Sequence, residues 1–238
     1  MGKRTLVAIP GLHGSWVSWI PQAAMLQDLT EVHMADAACD RTSIAAMASA
    51  ILHDAPRSFC LAGYSMGGYV ALEVMRQAPK RVERLALIST SARGPVPDED
   101  RIREPERRLV EAGCLDRLVD GAADGVHPER ADDPFIRKAR KLSAQVAGSR
   151  TILKRHEAVL RRIDSRPYLP AISCPTLVVC GAEDRICPPD LSREIADGIR
   201  GARLRILERC GHFILYEQAA KLADELRAWL DRKDAGAA

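Results

Sequence analysis

The sequence contains no hydrophobic run long enough to cross a lipid bilayer. Crossing one takes about 20 consecutive apolar residues, whereas the longest runs here, such as 85–88 and 177–180, have the length of a β-strand. The N-terminal apolar stretch 6–9 meets Pro10 before it reaches the length of a signal-peptide core. We therefore expect a cytoplasmic protein with no membrane partner.

Blocks of like charge and metal-binding cysteine patterns are also absent. The 35 Lys and Arg residues nearly balance the 32 Asp and Glu residues, which leaves a formal net charge of +3. Nucleic acid is therefore not an expected partner. The seven cysteines form neither a CxxC pair nor a zinc-ligand spacing, which favours free thiols in a reducing compartment.

Short β-branched and apolar segments alternate with longer amphipathic segments. This alternation is typical of a parallel sheet with helices on both faces. It predicts strands at 5–9, 31–34, 58–63, 82–89, 175–180 and 203–207. It predicts helices at 15–29, 43–53, 66–78, 191–198 and 215–232. The expected fold is α/β, with a mainly parallel sheet of about six strands.

Residues 94 to about 170 interrupt this alternation. They contain no strand pattern, and their apolar residues recur at helical spacing among arginines and acids. We predict about four short helices that form a cap (lid) at 95–170 over a site in a core domain, which comprises 1–94 and 171–238. A solvated surface insertion without contact to any site is the alternative.

Residues 58–69 place a G-x-S-x-G pentapeptide between an apolar strand and a helix. This context is typical of a nucleophile elbow, in which Ser65 would be the nucleophile and Gly63 and Gly67 would avoid collisions in a strained turn. The N–H of Met66, at the helix N-terminus, would stabilise a developing oxyanion. A glycine-rich turn that binds phosphate or only connects two elements is the alternative, although the lysine of a P-loop is missing.

A serine nucleophile needs a base, and the base needs a carboxylate that orients it. Glu183 and Asp184 stand where the predicted strand 175–180 ends. Asp184 is predicted as the acid, because the later position lies farther into the turn that faces the elbow. His212 follows the strand 203–207 and a glycine, and is predicted as the base. Surface or core roles are predicted for the histidines outside these loops, namely His33, His53, His127 and His156.

The loop after the first predicted strand is rich in glycine. A loop in this position can supply the second oxyanion N–H, which we assign to Leu12. His13 is expected either to contact substrate or to make an orienting hydrogen bond within the loop. Tyr64 and Phe213 are further expected substrate contacts.

Together, these motifs resemble the α/β-hydrolase superfamily across nearly the whole chain. G-Y-S-M-G-G at 63–68, G-A-E-D-R at 181–185 and G-H-F at 211–213 agree with that family in type, order and spacing. The resemblance implies the α/β-hydrolase fold with a helical cap after the sixth strand of the family's sheet. It also implies the residue roles given above: nucleophile Ser65, acid Asp184, base His212, and an oxyanion hole from the amides of Leu12 and Met66.

Serine at position 65 separates the chain from the haloalkane dehalogenases and epoxide hydrolases of this superfamily, which carry aspartate there. The sequence looks most like the small capped esterases and enol-lactonases. That resemblance implies a serine hydrolase that cleaves a small ester or lactone through an acyl-enzyme, without a metal or cofactor, as a monomer or homodimer. The same scaffold and triad also occur in small-molecule receptors, C–C bond hydrolases, acyltransferases and lyases, which stay as alternatives.

Overall fold

The computed structural model describes residues 3–231, and in this range the strands form one parallel sheet with the order β2-β1-β3-β4-β5-β6. The six predicted strands are confirmed, and the sheet is parallel throughout. Their bounds are β1 (Arg4–Ile9), β2 (Thr30–Met34), β3 (Phe59–Tyr64), β4 (Val82–Ile88), β5 (Thr176–Gly181) and β6 (Arg203–Leu207). The ends of the predicted core domain, 1–2 and 232–238, lie outside the described residues.

The α-helices pack on both faces of this sheet or lie between β4 and β5. They are α1 (Ile20–Leu26), α2 (Ile44–Asp54), α3 (Met66–Gln77), α4 (Glu99–Glu111), α5 (Leu115–Gly121), α6 (Pro134–Ala147), α7 (Ser149–Leu160), α8 (Pro189–Gly198), α9 (Ile214–Glu217) and α10 (Ala219–Asp231). No described helix is long and apolar enough to cross a membrane.

Two predicted helices differ from the observed ones. The region 15–29 starts with a 3₁₀ helix at Trp16–Trp19, and α1 begins only next to Pro21, because proline lacks the N–H for a bond to the preceding turn. The predicted helix 215–232 is interrupted at Gln218, whose backbone (φ −131°, ψ 44°) is not helical. Its last position, 232, lies outside the described residues.

The two faces of the sheet carry separate hydrophobic clusters. Alternate residues of β3 point to opposite faces, so Leu61 packs with Met47 and Val70 on one side, while Ala62 packs with Leu226 on the other. β3 and β5 are buried along their whole length, as parallel strands covered on both faces should be. The carboxyl ends of all six strands therefore meet at one edge, where ligands bind in such sheets.

The insertion between β4 and β5 contains four α-helices, as predicted. α4 to α7 share a small cluster of their own, which includes Val110, Leu118 and Ile152. Leu118 and Val119 of α5 line the same cavity as Ser65. The insertion is thus in contact with a cavity, in contrast to the alternative of an isolated surface insertion, and its division from the core at 95–170 stays a prediction.

A buried ion pair joins the two ends of the insertion, and one of its arginines also contacts the core. The carboxylate of Glu99, only 6% exposed, accepts hydrogen bonds from Arg103 (2.8 Å) and from Arg162 (3.0 Å). Arg162 also donates to the carbonyl of Gly94 and lies over the ring of Tyr69 in α3. Burial alone would raise the pKa of Glu99, but the Arg103 hydrogen bond and the Arg162 charge outweigh burial and hold that pKa below its usual range.

The substitution Glu99→Gln should therefore destabilise the fold. It keeps the side-chain volume but removes the carboxylate that faces the buried Arg162 and the closer of the two carboxylates that face Arg103, which should lower the free energy of unfolding by about 3 kcal/mol at pH 7. The folded-state pKa of Glu99 lies below the unfolded one, so its contribution is full above the unfolded pKa and is lost as the pH falls through the folded pKa. Urea titrations from pH 7 downward should show the gap to wild type narrowing in acid.

Asp100→Asn is the matched control, because Asp100 is exposed and pairs with Arg107 on the surface. It should change stability by less than about 1 kcal/mol. Equal losses of unfolding free energy in the two variants would contradict the stabilising role of the Glu99 ion pair. A difference between Glu99→Gln and wild type that does not change with pH would contradict it as well.

Candidate active site

Ser65 lies in the sharp turn between β3 and α3. Its backbone has φ 53° and ψ −119°, a conformation that residues other than glycine rarely adopt. Thr90 Oγ1 donates a hydrogen bond to the Ser65 carbonyl (2.7 Å) and helps to hold the turn. A Cβ at Gly63 or Gly67 would lie less than 3.0 Å from backbone atoms. The predicted steric role of both glycines is confirmed.

The side chains of Ser65, His212 and Asp184 form one chain of hydrogen bonds. His212 Nε2 is 3.0 Å from Ser65 Oγ, and His212 Nδ1 is 2.9 Å from Asp184 Oδ2. A carboxylate can only accept, so Nδ1 carries the proton and Nε2 is left to accept from the serine hydroxyl. Asp184 is 2% exposed and also accepts from the N–H groups of Ile186 and Cys187. The predicted convergence is observed; the roles in catalysis stay predictions.

Glu183, the carboxylate next to Asp184, makes different contacts. Its Oε2 accepts from the N–H of Cys210 (2.9 Å), and its own N–H donates to the Cys210 carbonyl (3.0 Å). Glu183 thus joins the loop after β5 to the loop before His212, whereas Asp184 reaches the imidazole. The geometry agrees with the choice of Asp184.

A further acid, Glu217 in α9, holds the backbone around His212. Its carboxylate is 1% exposed and accepts from three N–H groups, those of Gly211 (2.9 Å), Phe213 (2.9 Å) and His127 (2.8 Å). The His212 N–H donates to the carbonyl of Gly125 (2.6 Å). Glu217 is a functional residue that was not predicted from the sequence, where the available signal was one acid at the end of the apolar run 213–216.

The loop that carries Leu12 is held from the insertion by Arg155 in α7. Its guanidinium is 1% exposed and donates to the carbonyls of Gly14 (2.5 Å), Gly11 (3.3 Å), Leu12 (3.4 Å) and Cys39 (3.2 Å). Burial lowers the pKa of Arg155, but arginine stays charged in proteins. The conformation of this loop therefore depends on a residue 144 positions away from Gly11.

The hydroxyl of Ser65 faces a cavity of about 160 Å³. All predicted oxyanion and substrate residues line it: Leu12, His13, Tyr64, Met66 and Phe213. Met66 is the first residue of α3, so its N–H has no acceptor within the helix.

The aromatic residues of the cavity also support His212. The Tyr64 hydroxyl donates to the His212 carbonyl (3.1 Å). The Phe213 ring meets the His212 ring edge-on, with centroids 5.5 Å apart, and its face lies 3.7 Å from the Arg140 guanidinium. Tyr64 and Phe213 therefore help to place the imidazole as well as to line the cavity.

A group of polar side chains lies at another part of the cavity lining, to which His13 and Glu106 belong. His13 Nε2 lies 3.1 Å from His156 Nε2 and 3.8 Å from Glu106 Oε2. Burial lowers the pKa of His13 well below its usual value and that of His156 to about 4, while burial raises the pKa of Glu106. Both imidazoles are therefore neutral at pH 7. His156 is fully buried, as a core role predicts, but it faces a residue of the cavity.

Glu217→Gln should destabilise the chain by about 1–3 kcal/mol, because an amide group cannot accept on both sides and leaves at least one of the three buried N–H groups unpaired. The free energy of unfolding in urea measures this loss. Glu208→Gln removes the same charge from an exposed side chain of the same region and should have little effect. A loss in the control as large as in Glu217→Gln would contradict the role of the carboxylate.

Comparisons with known proteins agree with the fold. A 2-hydroxy-6-oxononadienedioate/2-hydroxy-6-oxononatrienedioate hydrolase of Paraburkholderia xenovorans is 29% identical over 174 residues, which cover 67% of this chain and 57% of that protein. The enol-lactonase of Burkholderia xenovorans superposes with a TM-score of 0.84 over 98% of this chain and 93% of that one, at 22% identity.

A thermophilic esterase of Thermogutta terrifontis superposes with a TM-score of 0.81 over 97% of this chain and 90% of that one, at 24% identity. At such identities, these solved structures establish the fold alone. The sequence pattern of the Alpha/beta hydrolase family, in turn, matches residues 6–225. With its parallel sheet, its elbow and this match, the chain belongs to the α/β-hydrolase family.

Proposed function

We propose that this protein is a serine hydrolase that cleaves a small carboxylic ester or lactone through an acyl-enzyme. The observation that carries the proposal is the hydrogen-bond chain from Asp184 through His212 to Ser65, which ends at the wall of a cavity. Ser65 is held in a conformation that costs backbone energy, and such strain is found at functional sites.

In the first step, Ser65 Oγ attacks the carbonyl carbon of the substrate while His212 Nε2 accepts the hydroxyl proton. The carbonyl oxygen becomes an oxyanion, which the N–H groups of Leu12 and Met66 stabilise. Asp184 stabilises the imidazolium that forms. The tetrahedral intermediate then collapses: the bond to the leaving oxygen breaks, and His212 returns the proton to that oxygen.

In the second step, a water molecule attacks the acyl-enzyme and gives a proton to His212. The bond between Ser65 Oγ and the acyl carbon breaks, the serine recovers its proton, and a carboxylic acid leaves. With a lactone, the alcohol released in the first step stays attached to the acyl group, so one hydroxy acid is the product.

The cavity favours small substrates. Its volume is about 160 Å³, and residues of the insertion, such as Val119, Arg140 and Val159, form part of its lining. Ester and lactone cleavage are named for two proteins that share this fold, the Thermogutta esterase and the Burkholderia enol-lactonase.

Hydrolysis of a 2-hydroxy-6-oxo-dienedioate is the second candidate. It rests on the 29% identity to the Paraburkholderia hydrolase, whose name states that substrate. A panel of p-nitrophenyl esters, lactones and such a dienedioate separates the candidates. Turnover limited to the dienedioate would favour the second candidate, and ligand-dependent stabilisation with negligible turnover would favour a receptor.

A fluorophosphonate probe should label the protein on Ser65, as mapped by mass spectrometry of the adduct. Ser65→Ala should lose the label, keep its fold by circular dichroism, and lower kcat by roughly 10⁴–10⁶. Ser58→Ala, at an exposed serine outside the cavity, should keep both label and turnover. Ester hydrolysis by Ser65→Ala at the wild-type rate, or a label on another residue, would refute the proposal.

Two adjacent carboxylates allow a sharp test of the acid. Asp184→Asn should lower kcat by about 10⁴, because an amide no longer holds the imidazole in the required tautomer. Glu183→Gln changes contacts to the Cys210 backbone and to His127, and none to the imidazole of His212, so it should lower kcat far less. If Glu183→Gln is the more damaging substitution at equal folded fraction, the assignment of Asp184 is wrong.

A further inference from the structure

Three side chains from distant segments meet at the polar wall of the cavity. His13 comes from the loop after β1, Glu106 from α4 and His156 from α7. One potential ligand atom from each, an imidazole nitrogen or a carboxylate oxygen, lies within 4.8 Å of the other two. The proposed hydrolysis uses none of the three.

The spacing of these atoms is close to that around a tetrahedral metal ion. With Zn–N bonds of about 2.0–2.1 Å, two ligand nitrogens lie about 3.3 Å apart. The Nε2 atoms of His13 and His156 are 3.1 Å apart. Glu106 Oε2 lies 3.8 Å from His13 Nε2 and within 4.8 Å of the His156 ligand atom, so its carboxylate has to move closer to both imidazoles, which side-chain rotation of a glutamate permits.

One oxygen of the Glu106 carboxylate accepts no hydrogen bond at this point. Its Oε2 atom is buried and has no hydrogen-bond partner among the described residues. Arg103 is the nearest cation, at 3.7 Å from that oxygen, but its Nε is hydrogen-bonded to Glu99. A buried oxygen without a donor costs free energy, and a cation between it and the imidazoles would recover that cost.

The donor set also indicates which cation fits. Mg²⁺ and Ca²⁺ take mostly oxygen ligands, whereas two of the three side chains here are imidazoles. Two neutral imidazoles and one carboxylate are ligands that Zn²⁺ binds well.

We propose that His13, Glu106 and His156 bind one divalent transition-metal ion, best matched by Zn²⁺, at the wall of the cavity. Three protein ligands leave a fourth coordination position, which faces the cavity because His13 and Glu106 line it. The ion joins α4 and α7 of the insertion to the loop that carries Leu12. Binding therefore stabilises the folded chain by mass action.

Calorimetric titration of the chelator-treated full-length chain with Zn²⁺ tests the proposal. We expect one ion per chain and a rise in Tm with Zn²⁺. Each of three single substitutions should weaken Zn²⁺ binding at least about tenfold: His13→Gln, Glu106→Gln and His156→Gln. Even residues that only hydrogen-bond to a metal ligand typically contribute about 10–100-fold to affinity. His156 is fully buried, so the unfolding midpoint without metal is measured for each variant, and Glu106→Gln or His13→Gln carries the test if His156→Gln does not fold.

Two controls separate this site from others. His33→Gln with His53→Gln removes two histidines outside the cavity and should leave Zn²⁺ affinity unchanged. Ser65→Ala should also bind Zn²⁺ as the wild type does, so failure of the proposed hydrolysis and failure of the metal site give different results.

Co²⁺ identifies the ligands directly. Bound by imidazole and carboxylate, it should show visible d–d absorption of a four-coordinate ion, without the intense near-ultraviolet band of a thiolate ligand. The seven cysteines are free, so a thiolate band would point to them and overturn the proposal. Wild-type affinity in the well-folded Glu106→Gln or His13→Gln variant would overturn it equally.

Discussion

The hydrogen bond between His212 and Asp184 is the contact on which the rest of the site depends. It joins the loops after β5 and β6. Asp184 is 2% exposed and His212 is 4% exposed, so the bond is shielded from solvent. Because a carboxylate accepts and does not donate, this bond also decides which nitrogen faces Ser65. The sheet brings the two loops to one edge. The hydrogen bond to Asp184 then places the proton of His212 on Nδ1 and leaves Nε2 facing Ser65 Oγ.

Buried polar residues around this bond act as positioning residues. The Glu217 carboxylate accepts hydrogen bonds from the N–H groups of the two residues next to His212 and from that of His127. The Glu183 carboxylate accepts one from the N–H of Cys210. Each carboxylate satisfies backbone donors that would otherwise be buried without a partner. The imidazole is thus held by its own hydrogen bonds and also by the backbone on which it stands, and this preorganisation is what electrostatic catalysis requires.

The insertion takes part in the site through its own side chains. Arg155 shapes the loop of Leu12, Ser143 of α6 accepts from the Ser15 N–H, and His156 meets His13. Removing the insertion would therefore change the loop that carries Leu12 as well as remove part of the cavity lining. The proposed nucleophile Ser65 and two of the proposed metal ligands, His13 and Glu106, line one cavity, and both proposals involve the loop after β1.

The sequence alone determined the elements whose constraints are local. The elbow could be predicted because a strained turn at Ser65 tolerates only glycine at 63 and 67, and Asp184 and His212 because each follows a strand whose end must lie at the same edge. Pro21 shortened one predicted helix and the turn at Gln218 divided another, which a periodic pattern of apolar residues does not register.

Only the tertiary structure decided the contacts between distant segments. Glu217 and His127 are 90 positions apart, and His13 and His156 are 143 apart. Such pairs produce no recognisable motif or spacing in the sequence, because the distance between their atoms is set by how the helices of the insertion pack on the sheet. The residues expected to react could therefore be predicted from local sequence patterns. The residues that position them, and the cation site proposed beside them, could be identified only from the complete fold.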